Sequence, residues 1–195
     1  MLWLSTEATL TDVHGPSFRF DPGAPCLEFG YTGGEGPLVR FERLHTPDDW
    51  VAWAAEPAHG IVLGSTPTGP EIARARALRE AVRTLAADRA DRRRPGSASR
   101  EVVDEAAARP GLVAELDDGW RRRWQGDVTL DQLTSALARD AIDLFAFTPV
   151  DRVRVCAADD CPLVFVDTSR PGARRWCSMA RCGNRAKVRS HRNRL

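Results

Sequence analysis

Four of the five cysteines fall in two pairs of identical spacing, Cys156-Ala-Ala-Asp-Asp-Cys161 and Cys177-Ser-Met-Ala-Arg-Cys182, with fifteen residues between the pairs. Two tight turns, each presenting two thiolates, supply the four soft ligands that a structural Zn2+ takes in a tetrahedron. Four sulfurs close every coordination position, so such an ion would brace the chain and not activate a water. Two disulfides, or four unlinked buried thiols, are the other readings of this spacing. Cys26 stands apart and reads as a small buried hydrophobe on a strand.

Charge divides the chain at about the same place as the cysteines do. From Asp151 to Leu195 there are eleven basic residues against four acids, a net +7, and no acid follows Asp167. The first 150 residues carry 17 basic and 23 acidic side chains, a net −6. A Zn2+ held by four thiolates contributes −2, so the metal balances only part of the C-terminal charge. Between the cysteine pairs, LVFVD (163–167) reads as a strand, SRPG as a turn and ARRW (173–176) as a return strand, with Trp176 and Phe165 beside the metal. Ser178 caps a helix from Met179 to about Arg192, and Gly183 admits a close backbone approach at the knuckle. On that helix Arg181, Arg185, Val188, Arg189 and Arg192 share one face, while Met179, Cys182 and Ala186 turn to the metal.

A metal-braced helix with a row of guanidinium groups suits the phosphates and base edges of duplex DNA. The candidate contacts are Arg174, Arg175, Arg181, Asn184, Arg185, Lys187, Arg189 and Arg192. With no aromatic platform on the helix, DNA is expected over RNA. A solvated basic face, or an adaptor whose zinc module docks on an acidic protein, are the competing readings.

In the N-terminal part, SFRF (17–20) and CLEF (26–29) read as short strands, YTGGEGP (31–37) as a hairpin turn, and LVRFERL (38–44) as the returning strand. Thr46-Pro47-Asp48-Asp49 opens a helix carrying Trp50 and Trp53. GIVLG (60–64) is a buried strand or apolar loop. From Pro70 a long helix buries Ile72, Ala75, Leu78, Val82, Leu85 and Ala86, with arginines opposite. A short helix over 100–108 and a hairpin over 112–125 with Trp120 and Trp124 follow. A helix over 127–147 then buries Leu130, Leu133, Leu137, Ala141, Leu144 and Phe145. The tryptophans read as core, with a small-molecule pocket among them as the alternative.

The expected architecture is thus α+β: helices packed on a small antiparallel sheet over residues 1–150, then a treble-clef or zinc-ribbon-like zinc finger with four cysteine ligands over 151–195. The paired aspartates at 48/49, 117/118 and 159/160 read as helix cap, hairpin turn and knuckle, and no nucleophile stands beside a base, so catalysis is not expected. MLWLSTEATLTDVHG lacks the regions of a secretory signal, and no apolar run reaches the roughly 18 residues of a membrane span. A cytoplasmic location with no membrane partner is expected.

The last 45 residues resemble the CGNR zinc finger family of bacterial proteins. The resemblance rests on both C-x4-C pairs, on FVDTS (165–169), on RRWCSM (174–179) and on CGNRAKVRSHR (182–192). Residues 26–147 are similar, through CLEF, TPDDWVAWAA, LREAVRTLAA and LARDAIDLF, to the ABATE domain that precedes this finger in the family. Members often carry an Asn-Thr pair after the first strand, where this chain has Tyr31-Thr32. The resemblance implies a Zn2+-binding transcription regulator. Its N-terminal domain would sense a small molecule or join two chains, since one short helix reads few bases and a homodimer is expected.

Overall fold

A computed structural model describes residue 6 and residues 8–11, 17–56 and 59–192 of the chain. Most of residues 1–16, together with Arg194 at the end of the basic tail, lies outside the described residues. Strands β1 (Ala8–Leu10) and β2 (Phe18–Phe20) pair antiparallel, with Leu10 opposite Phe18. Phe18 and Phe20 are buried and Arg19 is exposed, the alternation of a half-buried strand.

CLEF is helical, not extended. Helix α1 (Pro25–Gly30) is buried throughout, and Pro25 stands where its missing N–H costs nothing. The Cys26 N–H donates to Asp140 Oδ2 at 3.0 Å, so the helix start is satisfied from 114 residues away. Cys26 is buried as expected but on this helix. LVRFERL is no strand either. Gly36–Phe41 forms a 3-10 helix in which Leu38 and Phe41 are buried and Val39 is exposed, the three-residue period of that helix.

Helix α2 (Pro47–Ala55) begins at a capping box: the Thr46 Oγ1 accepts from the Asp49 N–H, and the Asp49 carboxylate accepts from the Thr46 N–H at 2.7 Å. Its Trp50 and Trp53 pack edge to face, 6.1 Å apart, against Phe29. Helix α3 (Gly69–Ala90) is the central rod, contacting α1, α4 (Ser97–Ala107) and α5 (Leu130–Phe147). Its six expected apolar positions are all buried. The arginines opposite them are not all solvated: Arg79 and Arg83 are buried too. Arg79 forms a two-pronged bond to Glu42, and Arg83 donates to the Gly30 and Gly33 carbonyls. The double glycine makes room for this. A Cβ on Gly33 would overlap the Glu42 carboxylate, one on Gly34 the Arg83 guanidinium, and both have positive φ.

Strands β3 (Ala114–Leu116) and β4 (Arg122–Trp124) form the expected hairpin, with Asp117 accepting from the Gly119 and Arg121 N–H groups in the turn. Trp120, at its tip with φ +60°, is 85% exposed and Trp124 half-buried, so only two of the four tryptophans are fully core. Leu63 bridges Val128 beside the buried Ile61. The described strands form three separate two-stranded pairs, not one sheet. Strands β5 (Val153–Val155) and β6 (Val164–Val166) pair in the C-terminal module, followed by a π turn (Met179–Gly183) and α6 (Asn184–Arg192). ARRW is not a strand; β5 takes the place beside β6. The Arg174 N–H goes instead to Asp167 Oδ2, and the Ala157 N–H to the Arg175 carbonyl.

The other edge of β6 is closed by the first domain. The Val164 N–H donates to the Tyr31 hydroxyl at 2.6 Å and the Val166 N–H to the Pro22 carbonyl at 2.8 Å. An edge strand of the finger is thereby paired and protected. Core side chains of both parts form one continuous cluster.

Candidate metal centre and basic helix

Cys156, Cys161, Cys177 and Cys182 are all buried, and their four sulfurs lie within 4.8 Å of one another. Cys161 Sγ and Cys177 Sγ are 3.7 Å apart, and Cys177 Sγ and Cys182 Sγ 3.5 Å. These separations exclude disulfides, whose sulfurs lie about 2.0 Å apart. A tetrahedron with Zn–S bonds of about 2.3 Å has edges near 3.8 Å, so the set fits Zn2+. The sulfurs are close enough to share protons: hydrogen bonds from the Cys161 and Cys177 thiols, with the Cys177 N–H 3.4 Å from Cys156 Sγ, lower the Cys156 pKa, while the same contacts raise those of Cys161 and Cys177. Anionic sulfur is the form that binds metal.

Local chemistry builds both knuckles. In the first, the Cys156 N–H donates to the Leu163 carbonyl at 2.9 Å and the Cys161 N–H to Ala158 at 3.0 Å. In the second, the Gly183 N–H reaches back to the Ser178 carbonyl at 3.1 Å, closing the π turn that carries Cys182. A Cβ on Gly183 would come within 2.8 Å of the thioether of the exposed Met179 and 3.3 Å of Trp176, so the position is tight. Ser178 makes no side-chain cap, contrary to expectation; the turn is held by its carbonyl. Phe165 is fully buried and Trp176 packs against the same core.

The basic residues divide into inward and outward groups. Arg174 points inward: it stacks 4.1 Å over Phe165 and donates to the carbonyls of Asp21 (2.8 Å), Trp176 (3.0 Å) and Cys177. Buried Asp167 accepts from Ser169 and the Arg174 N–H; against the upward push of burial, these bonds hold its carboxyl below the usual range. Arg181 lies 4.5 Å over Phe18 and 5.6 Å over Phe41, in the seam with the first domain. Both serve the scaffold, a role hidden from the sequence because both rings under Arg181, and the Asp21 carbonyl that Arg174 reaches, lie more than 130 residues upstream. Arg185 makes a two-pronged bond to Asp160 in the first knuckle, at 2.8 and 3.1 Å, and donates to Cys182 Sγ at 3.2 Å. Arg189 approaches Asp159 at 3.5 Å. The acidic pair between the first two cysteines therefore binds part of the arginine row. Asn184 is exposed and donates to the Ala180 carbonyl at 3.3 Å. Arg175, Lys187, Arg189 and Arg192 remain exposed on the outer surface, together with His191.

The arrangement defines a two-part chain, a helix-rich α+β body with a four-cysteine zinc finger fastened to it. The family described as ABATE, "Putative stress-induced transcription regulator", matches residues 23–147, and the CGNR zinc finger matches residues 152–195. The chain belongs to the ABATE family and carries the CGNR finger behind it, with Zn2+ as its metal. No curated protein matches the chain. Among the described residues no helix is long and apolar enough to cross a membrane.

Proposed function

We propose that the chain is a non-catalytic, cytoplasmic regulator that binds duplex DNA through α6 and its flanks, with Zn2+ setting the helix orientation. The observation that carries this reading is the position of Cys182 in the turn leading directly into α6. The metal thus fixes the first turn of a helix that carries Lys187, Arg189 and Arg192 exposed and no acid of its own, although Asp159 lies 3.5 Å from Arg189. Such a surface supplies phosphate contacts, each adding about 0.9 to the salt slope of binding. Arg175, beside the Trp176 ring at 5.1 Å, extends the same positive surface. Two copies would be needed to read a site of useful length.

Anisotropy of a labelled duplex titrated with the zinc-loaded chain tests this. Replacing Lys187, Arg189 and Arg192 together by alanine is expected to weaken binding and lower the salt slope by about two to three, with zinc content unchanged. Binding equal to the parent removes α6 from the interface. Absence of duplex binding at moderate salt, with an acidic protein retained instead, favours the adaptor reading.

A further inference from the structure

Two acids in the first knuckle face the basic helix. Asp159 and Asp160 stand between Cys156 and Cys161, and the sulfur cluster brings that loop against α6, since Cys161 and Cys182 both belong to it. Asp160 receives Arg185 in a two-pronged bond at 2.8 and 3.1 Å, and Asp159 lies 3.5 Å from Arg189. Lys187 and Arg192, on the same helix, meet no carboxylate among the described residues.

Neither carboxylate builds the loop it stands on. Asp49, Asp117 and Asp167 each accept backbone N–H groups and so fix a helix start or a turn. The first knuckle is closed instead by backbone bonds, from the Cys161 N–H to the Ala158 carbonyl and from the Cys156 N–H to the Leu163 carbonyl. Among the described residues the side chains of Asp159 and Asp160 have only the two arginines as partners. They are 93% and 57% exposed. Exposed ion pairs of this kind hold weakly, and a phosphate takes the same fork of guanidinium donors that a carboxylate takes.

We propose that Asp159 and Asp160 are a built-in competitor for nucleic-acid phosphate at Arg185 and Arg189. The proposal rests on the DNA-binding reading and adds to it how that binding is restrained. A DNA backbone that reaches the two arginines must displace both carboxylates and then lies beside them, like charge against like charge. The acids thus weaken the sequence-independent part of binding, which phosphate contacts supply, and leave Lys187 and Arg192 to make the first contacts.

The test is anisotropy of a labelled duplex, titrated over a range of salt with the zinc-loaded full chain, as the parent and as the double variant Asp159→Asn with Asp160→Asn. The double variant is expected to bind about tenfold tighter at about 50 mM salt, with a salt slope steeper by about one to two and zinc content unchanged. The same change made in a chain that also carries Arg185→Gln and Arg189→Gln is expected to gain no more than about threefold. A gain there as large as in the parent makes the acids a general repulsion and overturns the proposal. A parent that binds, beside a zinc-loaded double variant that gains nothing, overturns it too and leaves the DNA reading standing. Should the double variant lose its zinc, Asp159→Asn alone, at the more exposed carboxylate, decides: binding about threefold tighter supports the proposal and no gain overturns it. Failure of parent and variants alike to bind the duplex removes the DNA reading, and this proposal with it.

Discussion

Replacing Tyr31 by phenylalanine removes one oxygen atom and tests how the zinc finger is fastened to the first domain. The Tyr31 hydroxyl accepts the Val164 N–H at 2.6 Å, and both residues are buried, at 1% and 3% exposure. The Phe20 ring lies edge-on to Tyr31 at 5.4 Å, and that packing survives the change. What remains is a buried backbone donor with no acceptor, which costs about 1–3 kcal/mol. A central value of about 2 kcal/mol lowers the melting temperature of a chain this size by roughly 4–8 °C. The assay is thermal unfolding of zinc-loaded parent and Tyr31→Phe, with amide exchange followed at Val164. Exchange there is expected to accelerate while zinc content stays the same. A melting temperature within about 1 °C of the parent, with unchanged protection at Val164, would refute the view that this bond closes the β6 edge.

Glu28 is 3% exposed, and burial raises its pKa to about 7 against the pull of Arg43, while Trp53 and His59 lie beside it. Because its folded pKa lies above the unfolded value of 4.5, its ionisation costs stability as pH rises from about 4.5 to 7, by about 3 kcal/mol in total. Glu28→Gln is expected to flatten that part of a denaturation-versus-pH series; burial lowers the pKa of the neighbouring His59, whose contribution runs the opposite way, being lost as pH falls, and persists in the variant. Gly34→Ala is expected to destabilise by about 2–3 kcal/mol in urea unfolding, since φ is +147° and the new Cβ collides with Arg83. Trp53→Ala is expected to cost about 3–5 kcal/mol and Trp120→Ala less than about 0.5, the difference between a 2% and an 85% exposed ring.

What could be read from the sequence was what local chemistry determines. The Thr46 capping box, the apolar stripes of α3 and α5, the Asp-Asp-Gly hairpin and the paired cysteines each need only a few neighbouring residues, and each stands where expected except that Phe145 of α5 is half-buried. Several of the misreadings concern partners distant in sequence. Extended-looking CLEF becomes helical when Asp140 caps it, and Arg79 and Arg83 leave the solvated face because Glu42 and the Gly33-Gly34 loop reach them. ARRW yields its place in the sheet to Val153–Val155 because Asp167 holds the Arg174 backbone. In the basic helix, periodicity put Arg181 in one stripe with Arg185 and Arg189, but Arg181 stands in the π turn against Phe18, and acids face the other two; Asp160 and Asp159 stand 25 and 30 residues before the arginines they meet. Tyr31 has a definite role as the acceptor for the finger's edge strand.

The arrangement of β6, the π turn and α6 around one ion is tested most directly by X-ray absorption at the zinc edge on the purified chain, with metal content measured on the same sample. One zinc per chain in a shell of four sulfurs at about 2.3 Å is the expected result. A shell containing nitrogen or oxygen, or a folded chain that holds no zinc, would contradict it.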